Sequence, residues 1–526
     1  MPEQQHQSKG FVLYLLLTAV LCGGLIMVIE VMGSRVIGPF FGVSLFVWTS
    51  LIAVALVALA LGYAFGGYLS DHFEDPKYLY ILICIAGALS LLVPVLQGPV
   101  LKVTVPLGLR GGAFVSTLLL FGPALFLLGC VSPYLVKIAA FQMKNLGRVV
   151  GGLYALSTIG STVGTVLTGF VLVAFLGVDR IFLIIGILLI VLSVGYFLIF
   201  ERKWWAAVAL LLPFALYHPD VFEKKTLADG TVLSKVYESD SHYGSIKVVD
   251  SVSPEKHSRY MMIDSMVQGG MDMSNGLSIY MYNYYLQFIP YMLNPDGKQC
   301  LVIGLGIGMV PRWYEEQGVT CDIVDIDPHV ITIAQDYFNF KNKGVAVAED
   351  GRYFIATAEK LYDYLVLDVF NGDITPSHLL SFEALKEQEQ RLAPKGIFAV
   401  NLIGSLVKNN FMTASIVRTM EEVFDQVEIY PVFKAEDSSG MGNIIVVAYQ
   451  GEPRTFQQTD RDIYTVHPFF EQKVKSNLGA RYHFPPGTKT MVLTDNYNPV
   501  DFYDHWLREL IRKNILDTVD WDLLIG

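Results

Sequence analysis

VIGLGIGMVPRWYEEQGVTCDIVDIDPHV, residues 302–330, has the pattern of a strand, a glycine-rich turn, a helix and a second strand. The first strand is predicted over 299–303, and three glycines follow it: Gly304, Gly306 and Gly308. Glycine lets the backbone approach a ligand closely because it has no side chain. The second strand, over 320–324, leads to Asp325, 21 residues after the first glycine. At this spacing a carboxylate accepts hydrogen bonds from ribose hydroxyls, so the stretch predicts a nucleoside-binding βαβ unit.

The glycine turn alone leaves a second interpretation open, a tight strand-to-helix turn without a ligand. The motifs DIDP at 325–328 and EDGR at 349–352 favour the ligand. Strands and helices alternate after this unit, and strands are predicted over 344–348, 362–368, 396–401, 427–432 and 443–449. Three earlier strands of a small antiparallel sheet are predicted over 231–238, 243–250 and 258–264. We therefore expect a doubly wound, Rossmann-like α/β domain behind a small antiparallel sheet, with its ligand at the carboxyl ends of the parallel strands.

The first part of the chain is too apolar for an ordinary soluble enzyme. Hydrophobic residues make up 53% of the whole chain and charged residues 17%, and the mean hydropathy is +0.44. Runs without charge, each about 20 residues or longer, span 10–29, 36–70, 78–101, 111–136, 149–178 and 181–200. They predict an all-α membrane bundle of six spans, with the bilayer as a partner. A seventh run, 204–217, contains a proline and is either a short span or an interfacial helix.

Charge separates the two parts of the chain. The net charge of −11 divides into +4 for residues 1–217 and −15 for residues 218–526. An acidic second part argues against nucleic acid as a partner and suits a cationic ligand. The cysteines have no paired spacing, so neither a metal site nor a disulfide framework is predicted. These cysteines are Cys22, Cys84, Cys130, Cys300 and Cys321.

Lysine and arginine near the predicted spans indicate on which side of the membrane each end of the chain lies. Their distribution places the N-terminus inside and, with six spans, the C-terminal part in the cytoplasm, so we expect a multi-pass protein of the inner cell membrane. Seven spans would place the N-terminus outside. Glu30 and Arg35 flank the end of the first span, where an ionisable residue is a candidate membrane site. An internal ion pair between the two is an equally open alternative.

The predicted domains are a transmembrane domain over 1–218, a small sheet and linker helix over 219–298, a nucleoside-binding domain over 299–450 and a C-terminal extension over 451–526. A short stretch, LALGYAFGGYLSDHF at 59–73, resembles a loop of major-facilitator transporters. This match covers few residues, and the charged residues expected along a transport route are nearly absent.

Eight motifs carry a wider resemblance, and seven of them lie within about residues 231–450. They are SHYGSI at 241, MIDSMVQGG at 262, IGLGIG at 303, VDIDP at 324, EDGR at 349, YDYLVLDVF at 362, PSHLLSFE at 376 and LTDNYNPVD at 493. This part resembles the spermidine synthase (polyamine aminopropyltransferase) family, and the whole chain is similar to the branch in which that domain follows membrane helices.

The resemblance implies a reaction and the residues that carry it. An amine attacks the methylene carbon beside the sulfonium of decarboxylated S-adenosylmethionine, and 5′-methylthioadenosine leaves. No further cofactor is implied; the expected partners are the nucleoside sulfonium, an amine and, as an open alternative, a second copy of the chain. Asp325 would bind the ribose, Asp350 with Gly351 the adenine, and Gln268 would lie near the nucleoside. Asp368 matches the catalytic carboxylate, and Tyr243 and Tyr282 match tyrosines that orient the amine.

Three positions depart from the family pattern. An acid of the glycine loop is replaced by Ile307, a second acid by Asn371, and a third by Tyr284. A dicationic polyamine would lose ion pairs at these positions, so putrescine is expected to be a poor acceptor. Loss of the acid at Ile307 also reduces repulsion of a substrate carboxylate, which would admit intact S-adenosylmethionine.

Three functions follow from these observations. The first is aminopropyl transfer to an amine, and the second is cleavage of S-adenosylmethionine itself to methylthioadenosine without an acceptor. The third is a transporter or sensor with a nucleoside-binding domain. Two further residues have open roles: His378 lies either over the ligand or on the surface, and Arg352 either caps a helix or pairs with an acid.

Overall fold

The computed structural model of the chain describes residues 9–42, 45–140, 146–217, 223–264, 266–370, 376–434, 440–457, 464–503, 506–507, 509–511 and 513. It divides into two compact units. The helical unit contains Met1–Phe222 and the segment Asp240–Ser245. The sheet unit contains Glu223–Ser239 and Ile246–Ile515.

The helical unit consists mainly of apolar helices. Its α-helices are α1 (Lys9–Phe41), α2 (Leu45–His72), α3 (Lys77–Thr104), α4 (Gly108–Leu120), α5 (Gly122–Gly129), α6 (Val131–Ala140), α7 (Leu146–Leu167), α8 (Val173–Phe175), α9 (Val178–Ile199) and α10 (Leu212–Leu216). Short 3-10 helices cover Val105–Leu107 and Trp204–Leu211, and a π-helical turn covers Thr168–Leu172.

Six helical stretches within the described residues are long and apolar enough to cross a membrane. They are Lys9–Phe41, Phe46–His72, Lys77–Leu120, Gly122–Ala139, Gly147–Leu172 and Val178–Ile199. The number equals the six predicted runs, but the third and fourth boundaries were wrong. Helix continues from Lys77 to Leu120 because Val105–Leu107, with Pro106, form a 3-10 turn between α3 and α4 instead of a loop. The seventh run forms a helix over Trp204–Leu216, shorter than the six.

Small residues bring α1 and α7 into close contact. A Cβ added at Gly24 would lie 3.0 Å from the carbonyl oxygen of Gly160, and one added at Gly160 or Gly164 would clash with the backbone of α1. The hydroxyl of Ser161 donates to the carbonyl oxygen of Gly23 across the same interface, at 2.9 Å. Glycine and serine allow this approach in an apolar bundle, where close packing replaces the hydrophobic driving force.

The sheet unit begins with a five-stranded antiparallel sheet in the order β1-β2-β3-β4-β5. Its strands are β1 (Lys224–Thr226), β2 (Val232–Asp240), β3 (Ser245–Val252), β4 (His257–Ile263) and β5 (Met266–Asp272). The three predicted strands correspond to β2, β3 and β4. β1 was missed because three residues are too few to show the alternation of polar and apolar residues in a strand. β5 was missed because Gly269 and Gly270 interrupt that alternation.

A seven-stranded sheet follows, in the order β11-β12-β10-β9-β6-β7-β8. Its strands are β6 (Gln299–Ile303), β7 (Thr320–Asp325), β8 (Ala346–Ala348), β9 (Tyr362–Leu367), β10 (Leu392–Ser405), β11 (Gln426–Pro431) and β12 (Met441–Tyr449). The pairs from β10 through β9, β6 and β7 to β8 are parallel, while β12 is antiparallel to both of its neighbours. This is the predicted Rossmann-like architecture.

Helices connect and follow these strands. They are α11 (Tyr282–Leu293), α12 (Met309–Glu316), α13 (Pro328–Phe338), α14 (Gly351–Thr357), α15 (Phe382–Glu389), α16 (Phe411–Glu421), α17 (Glu471–Asn477) and α18 (Val500–Tyr503), with a 3-10 turn over Ser377–Leu379.

The central strands are apolar on both faces, as parallel strands between two helix layers are. Along β6, Cys300 and Val302 belong to one core while Leu301 and Ile303 belong to another. Because β6, β7, β8 and β9 are parallel, their carboxyl ends lie at one edge of the sheet. The predicted residues Gly304, Asp325, Asp350 and Asp368 lie at or directly after those strand ends.

Candidate active site

The glycine turn after β6 has the conformation that its sequence requires. Gly304, Gly306 and Gly308 all have positive φ, at 86°, 53° and 79°. A side chain at Gly304 would clash with the carbonyl oxygen of Asp368, and a Cβ at Gly308 would lie 2.5 Å from the ring of Phe340. The turn therefore brings the backbone of β6 against the residue that ends β9, and it leads directly into α12.

Asp325 holds the glycine turn from the end of β7. Its carboxylate accepts hydrogen bonds from the backbone N–H of Leu305, at 2.9 Å, and of Asp327, at 3.0 Å. Burial raises the pKa of Asp325 to about 6, although these hydrogen bonds act in the opposite direction. A carboxylate offers about four lone-pair positions, so two such bonds leave acceptor capacity for ribose hydroxyls.

Asp350 begins α14 next to this site. Its carboxylate accepts from the backbone N–H of Arg352 and of Tyr353, each at 3.0 Å, as a helix N-cap does. His378 places Nε2 3.6 Å from the other carboxylate oxygen, and both side chains are about half exposed. The loop histidine therefore lies beside the predicted adenine ligand and not on a remote surface.

Arg352 pairs with acids, which confirms one of its two predicted roles. Its guanidinium donates to both carboxylate oxygens of Asp495, at 2.7 and 2.6 Å, and to Glu387 at 3.2 Å. Asp495 also accepts from the hydroxyl of Ser381 at 2.5 Å. The chain near residue 495 thus anchors the start of α14 and the segment that carries His378. Sequence reasoning missed this contact because 143 residues separate the two partners.

Asp368 is the acid at the centre of this edge. It follows β9 and lies between the glycine turn, which its carbonyl oxygen contacts, and Asn401 on β10, whose Nδ2 donates to its Oδ1 at 2.9 Å. Burial raises the pKa of Asp368 to about 6, and the hydrogen bond from Asn401 works against that rise. The carboxylate is therefore largely ionised at neutral pH, and it is more basic than an ordinary aspartate.

The negative charge of Asp368 acts on the nearby side chain of Tyr282. Burial, and then the negative charge of Asp368, raise the pKa of Tyr282 well above the usual value for a phenol. The hydroxyl therefore stays protonated and can donate a hydrogen bond. Tyr280 lies beside it, with 6.3 Å between the ring centroids. The first turn of α11 thus adds aromatic surface near the carboxylate.

Gln268 lies at an irregularity of β5. Val267 pairs with Met262 and Gly269 with Met261, so Gln268 is an extra residue without a direct partner, as in a β-bulge. Its carbonyl oxygen would lie 3.5 Å from a Cβ placed on Gly306. The small sheet therefore meets the glycine turn at this residue, which is where a nucleoside neighbour is expected.

The departures from the family pattern have structural explanations. Ile307 is 5% exposed and packs on Gly269 within an apolar cluster. Tyr284 is 2% exposed; its hydroxyl donates to the carbonyl oxygen of Ser278 at 2.7 Å and accepts from the N–H of His467 at 3.1 Å. Both side chains are core residues with satisfied contacts. Asn371 lies outside the described residues.

Two other predicted sites are not brought to this edge within the sheet unit. Tyr243 is half exposed in the turn between β2 and β3, a segment that belongs to the helical unit. In that unit Arg35 donates to the carbonyl oxygens of His242 and Ser241, at 2.5 and 3.4 Å. Catalysis by Tyr243, and a membrane site at Glu30 and Arg35, stay predictions.

The sheet order and the parallel strand ends define a Rossmann-like α/β domain. Residues 280–456 match the family profile described as "Spermine/spermidine synthase domain". The C-terminal part of the chain therefore contains a domain of this family, as its motifs predicted.

Two curated relatives and one solved structure illustrate the similarity. An N-terminal histidine N-methyltransferase of Emericella nidulans is 29% identical over 42% of this chain and 39% of its own length. A polyamine aminopropyltransferase of Vibrio vulnificus is 38% identical over 24% of this chain and 42% of its own length. The chain thus spans about two fifths of each relative. A spermidine synthase in complex with the transition state analogue AdoDATO has a TM-score of 0.34 and 18% identity, covering 55% of this chain and 92% of that one.

Proposed function

We propose that the sheet unit transfers an aminopropyl group from decarboxylated S-adenosylmethionine to an amine and releases 5′-methylthioadenosine. The observation that carries the proposal is Asp368, a buried carboxylate at the carboxyl end of a central parallel strand, in backbone contact with the glycine turn. The family profile over residues 280–456 supports the same reaction.

The nucleoside would lie along the edge formed by the ends of β6, β7 and β8. Asp325 would accept from the ribose hydroxyls and Asp350 would lie at the adenine, with the bulge at Gln268 covering the turn. The backbone contact between Gly304 and Asp368 would hold the sulfonium beside the catalytic carboxylate. Such positioning of two reactants can lower the barrier by about 7 to 11 kcal/mol.

Asp368 would prepare the amine for attack. An alkylamine has a pKa of about 10.4 and is almost wholly protonated at neutral pH, so it lacks a lone pair. The carboxylate would accept one proton from the ammonium. The nitrogen lone pair then forms a bond to the methylene carbon while the carbon–sulfur bond breaks, and sulfur keeps that electron pair as neutral methylthioadenosine leaves. Tyr282 would donate its hydroxyl to orient the reacting groups.

The acceptor is proposed to bind without two of the acids that the family uses. Ile307 and Tyr284 are packed in apolar cores and offer no charge to a second ammonium group. We therefore expect putrescine to react poorly, and an amine with a single cationic group to react better.

The helical unit would anchor this activity to a membrane. Its six long apolar helices support a multi-pass protein. We propose the inner cell membrane with the sheet unit in the cytoplasm, where a pool of nucleoside sulfonium exists.

The test is to incubate the purified full chain with decarboxylated or intact S-adenosylmethionine, with and without amines, and to follow methylthioadenosine by chromatography. Release should require the decarboxylated donor and an amine. Asp368→Asn should lower kcat by about 10²- to 10⁴-fold, because it keeps the shape but removes the proton acceptor. Asp336→Asn, on the exposed face of α13, serves as the matched control. Release from the intact donor without an amine would instead support cleavage, and no product from either donor would favour a sensor or transporter.

A further inference from the structure

Two asparagines extend from Asp368 across the sheet. Asn401 Nδ2 donates to Asp368 Oδ1 at 2.9 Å, and Asn443 Nδ2 donates to Asn401 Oδ1 at 3.1 Å. Asn401 lies on β10 and Asn443 on β12, beyond the catalytic carboxylate. Asn443 pairs with Ile403, two residues from Asn401, so both amide side chains project from the same face of the sheet.

The chemistry of the three groups fixes the direction of this chain. An ionised carboxylate only accepts hydrogen bonds, so Asn401 must turn its amide nitrogen toward Asp368. Its oxygen then faces Asn443 and needs a donor, which the nitrogen of Asn443 supplies. Loss of that donor weakens this orientation, because a rotated amide would present its oxygen to Asp368, an arrangement that suits only the protonated acid.

We propose that Asn443 is a positioning residue of the active site, which acts through Asn401 to keep Asp368 ionised and to direct its Oδ2 toward the amine. This inference rests on the proposed function. Asn443 itself does not touch Asp368 in any described contact, and its effect passes through the orientation of one amide. With Oδ1 occupied by Asn401, Oδ2 is the oxygen left to take the proton.

Two variants of the full-length protein test the relay. Asn443→Leu keeps the side-chain size and removes the donor, while Asn443→Ala is the second variant in case the first does not fold. Asn294→Ala is the matched control, because Asn294 is a buried asparagine whose Nδ2 likewise donates to a carbonyl oxygen, that of Lys395, at 3.0 Å. It removes one amide hydrogen bond outside the relay.

The first readout is the pH dependence of methylthioadenosine release. Loss of the relay should move the acidic limb of the pH–rate profile upward by about one pH unit, since one hydrogen bond to a charged group is of that size. The rate should then fall about twofold at pH 7 and recover at higher pH. Asn294→Ala should leave the profile in place, because a structural defect lowers the rate at every pH.

The second readout does not need turnover. Carbodiimide modifies protonated carboxyl groups, so labelling of Asp368, measured by peptide mass spectrometry across pH, reports its ionisation directly. We expect the labelling midpoint to rise in the Asn443 variants and not in Asn294→Ala. An unchanged midpoint would overturn the relay even if product forms. A raised midpoint without product from the parent protein would retain the relay and reject aminopropyl transfer.

Discussion

The buried carboxylate of Asp368 makes the stability of the folded protein depend on pH. The folded-state pKa of Asp368 is raised to about 6 by burial, above its value in the unfolded chain, so the folded state binds more protons between about pH 4 and pH 6. Stability should therefore fall as pH rises through that window, by up to about 3 kcal/mol. Asp368→Asn should raise the melting temperature at pH 7.5 and have about a third of that effect at pH 4.5. Thermal unfolding of both proteins at the two pH values checks this; equal shifts at both would show that the charge is not responsible.

Asp325 permits a binding prediction at the same scale. Asp325→Ala removes the carboxylate that is expected to hold the ribose, and two charge-assisted hydrogen bonds are worth about 10²- to 10⁴-fold in Kd. Methylthioadenosine should raise the melting temperature of the parent protein, because it binds only the folded state, and should do so much less in the variant. Asp336→Ala is the control. Equal affinity of parent and Asp325→Ala would refute the ribose assignment.

At the scale of elements, the segment around Asp495 is predicted to be part of the nucleoside site. Asp495→Asn weakens a two-bond ion pair with Arg352 that is largely screened from water at the arginine end. The start of α14 and the loop of His378 should then lose their fixed geometry. We expect weaker methylthioadenosine binding and faster proteolysis between residues 376 and 381. Arg418→Ala breaks exposed pairs with Glu421 and Glu422 and should change neither.

The local sequence pattern predicted most helices and strands of the sheet unit. It did not predict features that depend on contacts between residues far apart in the sequence. The apolar runs of β6 and β9 and the glycine turn could be predicted because their residues are neighbours in sequence. The contact between Asn401 and Asn443 depends on the register of two antiparallel strands 42 residues apart. The burial of Ile307 likewise depends on Gly269, in a strand that has no regular alternation.

At the scale of the whole molecule, the proposed function depends on the side of the membrane on which the sheet unit lies. A multi-pass protein with the proposed topology needs its sheet unit where the nucleoside donor is made. A reporter enzyme fused after the last residue should be active in the cytoplasm and inactive outside, with a fusion in the loop 73–76 between α2 and α3 as a second point. Activity of the terminal fusion outside the membrane would contradict both the topology and the proposed reaction.

The ion pair between Arg352 and Asp495 can form only late in the synthesis of the chain. The whole stretch that matches the family profile, ending at residue 456, is translated before Asp495. With elongation at about 5 to 20 residues per second, Arg352 waits roughly 7 to 30 s for its partner. From the translation of Tyr449, which ends β12, to that of Asp495, about 2 to 9 s, all the strands have been made while the ligand edge is not yet closed. A chaperone that recognises this edge would have that time to act.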